Sequence, residues 1–196
     1  MWKSKLLEFV KNFTHPAWGL THFQRVYELA IKLVETQNLD VDRDTIFAAA
    51  YLHDIGAFDP YRQEGKDHSE VAVERCSEIL LSIGFPESKI DLVKDIIKGH
   101  MFNVKPSEIK ESLILHDADT LDFMGTIGIS RILAIVGIED WTPDLKSAIF
   151  LIQKFHDELP LQLYTTAAKE LSIDRTNEMK NFLDNLAQQT NKFELV

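Results

Sequence analysis

The sequence predicts an all-α protein, on three observations. Apolar residues recur at helical rather than alternating spacing throughout, no low-complexity run or Pro/Gly/Ser-rich linker interrupts them, and the breaks are of the kind that end helices. With 196 residues, 45% of them hydrophobic and 27% charged, the chain is long enough to bury a full core and short enough for one domain spanning 1–196. About eight helices are expected from the pattern.

The first runs from Thr21 to about Glu35, where Phe23, Val26, Tyr27, Ala30 and Val34 form one stripe; Asn38-Leu39-Asp40 follows it. A second covers Arg43 to His53 through Ile46, Phe47 and Ala50, closed by Gly56 and Asp59-Pro60. A third begins near His68-Ser69 and carries Val71, Ala72, Cys76, Ile79 and Leu80 to Gly84, a carboxy-terminal cap. Pro86 suits the first turn of a fourth, bearing Ile90, Val93, Ile97 and His100. A fifth is expected from Pro106 through Ile109, Leu113 and His116 to about Phe123. Later helices cover roughly Ile127 to Val136, Pro143 to Leu159 and Thr165 to Ala187. The stripe Leu145, Ala148, Ile149, Ile152, Phe155 and Leu159 is the clearest, and Pro160 ends it.

Composition excludes several functions. No stretch approaches the roughly 18 to 20 apolar residues of a membrane span, and MWKSKLLEFVKNFTH lacks a signal-peptide core, so the expected location is the cytoplasm. The lone Cys76 forms no intramolecular disulfide and no cysteine-based zinc site. A net charge of −10 argues against a duplex nucleic-acid partner, because that affinity comes from cations meeting phosphates. A small anionic substrate remains open to an acidic protein that holds a metal ion, since the ion supplies the local positive charge.

The histidines point to such an ion. His53 lies seven residues after Ile46 and His100 seven after Val93, so each falls on the apolar face of its helix and points inward. A buried imidazole needs partners for two ring nitrogens, and the neighbouring Asp54 is costly to bury unpaired. His22, His53-Asp54 and the acid-rich His116-Asp117-Ala118-Asp119 together offer nitrogen and oxygen ligands without sulfur. Arg25, three residues after His22, leans towards the same pocket and is a candidate phosphate clamp. Lys66, Lys98 and Arg131 flank other motif positions. His15 and Trp18 fall in a Pro- and Gly-containing loop expected over the pocket mouth, where Trp18 is able to stack on a base.

Three ordered motifs resemble the HD superfamily of metal-dependent phosphohydrolases, whose small bacterial branch is the best match. They are Thr21-His22-Phe23-Gln24-Arg25-Val26, Ala48-Ala49-Ala50-Tyr51-Leu52-His53-Asp54-Ile55-Gly56, and Asp117-Ala118-Asp119-Thr120-Leu121-Asp122 followed by Gly128-Ile129-Ser130-Arg131. The resemblance implies an HD-domain-like helical bundle and His22, His53, Asp54 and Asp119 as metal ligands. Asp119 is taken over Asp117 from its Ala-Asp-x-Leu context, with Asp117 and Asp122 as orienting acids behind the ligands. It further implies a divalent ion (Mn, Fe, Co, Ni, Zn or Mg) and hydrolysis of a phosphate ester or anhydride, with a nucleotide as the expected substrate.

His68 and His100, unused by four ligands, are expected to face the pocket as contacts to phosphate or water. The nucleotidase branch has a catalytic Glu three positions after its HD aspartate, where this chain has Ala57; Asp59, Asp67 and Glu70 are the acids available nearby. Two other functions compete. One is a di-iron oxygenase in which His68 and His100 hold a second iron, and the other is a binding or regulatory module with a structural metal. Near the carboxy terminus Met179, Phe182, Leu183 and Leu186 form an apolar edge that either closes the core or forms a homodimer face.

Overall fold

A computed structural model describes residues 1–196. The chain is all-helical. In order come α1 (Trp2–Val10), α2 (Leu20–Thr36), α3 (Arg43–Leu52), α4 (His68–Ile83), α5 (Ile90–Lys98), α6 (Lys110–Asp122), α7 (Gly125–Leu133), α8 (Leu145–Glu158) and α9 (Thr166–Gln189). Short 3-10 turns cover Ile55–Ala57, Glu87–Lys89 and Leu159–Gln162.

The helix beyond the expected eight is α1. Nine residues are too few for a helix to persist by propensity alone, so packing must stabilise it. Leu6 and Val10 are fully buried, and the Trp2 indole meets the rings of Phe47 and Phe85 edge-on. Two other boundaries differ from expectation. Glu87–Lys89 form a 3-10 turn, so α5 starts at Ile90. Helix α6 starts at Lys110 rather than Pro106, and Ile109, expected on its stripe, is 42% exposed.

Local chemistry fixes the other ends. Asp42, Asp67, Asp144 and Thr165 each cap a helix by accepting backbone N–H groups, and Gly84 closes α4 at φ 85°. Met179 and Leu183 of α9 are buried, so the carboxy-terminal apolar edge packs onto the core.

Helix α6 organises the bundle. It packs against α2, α3, α5, α7 and α9, and from Ile114 to Asp122 every residue is buried. Three of those residues are aspartates, and burying a carboxylate is costly unless something meets its charge. Their partners define the site. No helix is long and apolar enough to cross a membrane.

Candidate metal centre

Three buried histidines converge beside α6, each fixed by a hydrogen bond from its Nδ1. His22, in the first turn of α2, donates to Asp122 Oδ2 at 2.8 Å. His53, just past α3, donates to the Ala50 carbonyl at 2.9 Å, and His100, just past α5, donates to the Ile97 carbonyl at 2.6 Å. With a proton on Nδ1, each ring turns its Nε2 towards the same space. This is the usual way a protein orients a metal-binding imidazole.

The entry to α2 requires glycine. Gly19 has φ 98°, and a Cβ there would lie 2.4 Å from the Phe13 carbonyl oxygen. Gly56 performs a comparable service for His68, since a Cβ would sit 2.2 Å from the His68 carbonyl oxygen at the start of α4.

The acids complete the cluster. His22 Nε2 is 3.1 Å from His53 Nε2, 3.3 Å from Asp119 Oδ1 and 3.4 Å from Asp54 Oδ2. Without a metal ion, two imidazole nitrogens at that separation must share a proton, which His22 supplies. Asp119 Oδ1 is buried and accepts no hydrogen bond, although a buried carboxylate oxygen ordinarily has a partner. Converging imidazole nitrogens, an orphaned carboxylate oxygen and a second acid within reach fit a divalent ion: His22, His53 and Asp119 form one group able to hold it, and His53, Asp54 and His100 form another.

Asp54 faces two ways. Its Oδ2 lies 3.4 Å from both His22 and His53, whereas Oδ1 lies 3.1 Å from His68 Nε2 and 3.4 Å from His100 Nε2.

Electrostatics follow this arrangement. Burial would raise the Asp54 carboxyl, but the surrounding imidazoles hold it well below the usual range. Burial and Arg131 push the His22 imidazole down, yet the carboxylates of Asp119, Asp122 and Asp54 prevail and raise it to about 9. His68 also rises to about 9, where Asp54 outweighs the cost of burial. His53 moves the other way because burial dominates, which favours the neutral form a ligand requires.

Not every expected residue joins the cluster. Arg25 does not line the cavity above the cluster; its Nε and Nη2 donate to the two oxygens of Asp122 at 2.8 and 3.0 Å. Arg25, the expected phosphate clamp, is thus held by the acid behind His22. Asp117 also lies elsewhere, accepting the backbone N–H groups of Tyr164 at 2.9 Å and Thr165 at 2.7 Å. Two helical positions turn a side chain through about 200°, so Asp117 fastens the start of α9 while Asp119 faces the histidines. Lys66 pairs with Glu74, and neither it nor Lys98 lines the cavity.

Arg131 does line it. The guanidinium is 3% exposed, donates to Asp122 Oδ2 at 2.9 Å and to the Ala17 carbonyl at 2.7 Å, and lies 3.8 Å from the Phe123 ring centroid. The cavity encloses about 390 Å³. Its floor includes Asp54, His68, His100 and Asp119, and its walls include Trp18, Phe102, Phe123, Trp141 and Phe155. Ala57 presents a methyl group there, and Asp59, Asp67 and Glu70 are not among the lining residues. The acid on the wall is Glu139, whose Oε1 lies 3.2 Å from His15 Nε2. Glu139, Trp141 and Lys154 were not singled out from sequence. No ligand-like spacing marks them, although the aromatic beside Thr142-Pro143 is a loop feature.

Fold and site thus define an all-α protein built around a buried His/Asp cluster. The family model described as HD domain matches residues 19–124, more than half of the chain, and the chain belongs to that family. Bacillus subtilis YpgQ in complex with ADP is a structural neighbour at 23% identity and TM-score 0.73, covering 95% of this chain and 97% of that one. A protein from an uncultured Thermotogales bacterium, described as a predicted HD superfamily hydrolase, is similar at 24% identity and TM-score 0.66, covering 96% and 90%. These likenesses show the fold. Among curated proteins, an uncharacterized protein of Clostridium beijerinckii is 32% identical over 47% of this chain and 59% of its own length. The 3′-5′ exoribonuclease YhaM of Listeria welshimeri is 25% identical over 56% of this chain and 43% of its own. The chain spans about half the length of these curated relatives.

Proposed function

We propose that this protein is a metal-dependent phosphohydrolase that cleaves a phosphate ester or anhydride in a small nucleotide-like substrate. The observation that carries this reading is the unpartnered Asp119 Oδ1 among converging imidazole Nε2 atoms, at the floor of a cavity that also presents Arg131. His22, His53, Asp54 and Asp119 would hold a divalent ion, which would supply Lewis acidity towards a phosphoryl oxygen and acidify the attacking water. Arg131, fixed by Asp122 and Ala17, adds positive charge beside the substrate phosphate. His68 and His100 stand over the outer oxygen of Asp54, where they contact phosphate or the attacking water. In the reaction a water oxygen bonds to phosphorus while the bond to the leaving oxygen breaks, and one water proton passes to that oxygen.

A cavity of about 390 Å³ lined with aromatic rings suits a small molecule bearing a flat ring and a charged end. The ADP complex of YpgQ and the exoribonuclease name of YhaM add support, since both concern nucleotide phosphates. The test is chelator-stripped protein resupplied with Mn, Fe, Co, Ni, Zn or Mg and screened against nucleotides, with phosphate and pyrophosphate detected separately. Metal-dependent release of one product is expected. No release with any ion and any nucleotide would overturn the reading.

One observation favours a second reading, in which two ions are bound. Asp54 turns one oxygen to His22 and His53 and the other to His68 and His100, as a bridging carboxylate does. Metal content and redox spectra separate a one-ion hydrolase from the di-iron oxygenase.

A further inference from the structure

The upper half of the cavity lies outside the residues matched by the family model and has a chemistry of its own. Trp18 precedes that match, and Arg131, Glu139 and Trp141 follow it. The Trp18 and Trp141 indoles both line the cavity and are parallel to within 14°, with centroids 6.3 Å apart. A flat ring aligned with one is therefore aligned with the other.

Both indoles are held in place. His15 stacks on Trp18 at 3.8 Å and 15°, and the loop carrying Trp18 is tied down by the Arg131 bond to the Ala17 carbonyl. Trp141 is 49% exposed, but its neighbour Thr142 is buried and donates its hydroxyl to the Ile135 carbonyl at 3.1 Å. The Glu139 bridge to His15 joins the two loops.

The wall offers few groups that read the edge of a base. No Asn, Gln, Ser or Thr lines the cavity. Glu139 is engaged by His15, and Lys154 lies 3.9 Å from Glu158. Edge hydrogen bonds confer strong discrimination between rings, whereas stacking is tolerant because every base has a π-face.

We infer that Trp18 and Trp141 form a stacking platform for the substrate's ring, so that this protein selects for a nucleobase while discriminating little between bases. The inference rests on the proposed action on a nucleotide. The ring lies on the indoles and the phosphates extend towards Arg131 and the histidines.

Titration of metal-supplemented protein with the 5′-monophosphates of adenosine, guanosine, cytidine and uridine, and with ribose 5-phosphate, tests it by calorimetry and tryptophan fluorescence. Trp2, the remaining tryptophan, packs on Phe47 and Phe85 and gives a constant background. The nucleotides should bind about 10- to 100-fold more tightly than ribose 5-phosphate, quench fluorescence, and fall within about fivefold of one another. Trp141→Leu should remove most of that advantage and Trp141→Phe should keep most of it. Equal binding of nucleotides and ribose 5-phosphate, an advantage undiminished in Trp141→Leu, or a preference above about 100-fold for one base would each overturn the inference. If the metal screen still finds a nucleotide hydrolysed in any of those cases, the proposed function stands while the platform falls; if no nucleotide is bound or hydrolysed, both fall.

Discussion

Asp122 accepts the Nδ1 proton of His22 at 2.8 Å, and the same carboxylate receives Arg25 and Arg131. Burial would raise its carboxyl, but His22 and the two guanidinium groups hold it well below the usual range. It therefore remains an anion that fixes the tautomer and direction of His22, a candidate ligand. Asp122→Asn should weaken metal affinity about 10- to 100-fold, the usual consequence of removing such a support. Chelator competition measures this, and unchanged affinity would show that His22 is oriented by other contacts.

Asp119→Asn and Asp117→Asn should separate cleanly. The first removes a charged candidate ligand and should abolish tight metal binding. The second weakens a carboxylate that accepts two backbone N–H groups, and should cost about 1–3 kcal/mol of stability with metal affinity intact. Thermal melts and metal titrations of both variants decide it, and the reverse pattern would exchange the two roles.

Metal loading should release protons. The ordinary histidine value is 6.5 and the metal-free His22 imidazole is raised to about 9, so at neutral pH it holds a proton that a metal must displace. Because the folded value is raised, competition grows as pH falls below about 9, and affinity should decline about tenfold per unit for each proton displaced. Calorimetry in buffers of different ionisation enthalpy counts the protons. A pH-independent affinity between 7 and 9 would contradict this.

His68→Ala and His100→Ala are expected to keep one bound ion per chain and to lose turnover or substrate affinity. Elemental analysis provides the stoichiometry. A wild-type value near two that falls to one in either variant would instead support the two-ion reading drawn from Asp54.

Much of the cluster was legible because its members lie where helical periodicity is easy to read. His53 and His100 sit at the ends of apolar stripes, and burial of both follows from that spacing alone. The pairing of Arg25 was not legible, since its angle on α2 says that it points towards α6 but not which carboxylate meets it. Asp117 was misplaced as an orienting acid because its neighbourhood to Asp119 in sequence becomes opposition around the helix. Helix α1 was missed because its stability comes from burying Leu6 and Val10 and seating Trp2 against Phe47 and Phe85. Glu139 and Trp141 reach the cavity only through tertiary folding.

The contact between Gly56 and His68 gives an inert position an outsized sensitivity. A single methyl at Gly56 would collide with the backbone on which α4 begins, and backbone cannot yield as a flexible side chain can. Variation at this position therefore displaces His68 without altering any reactive group. In a saturation library selected for turnover, Gly56 should tolerate as few replacements as His53, and its failures should keep their metal.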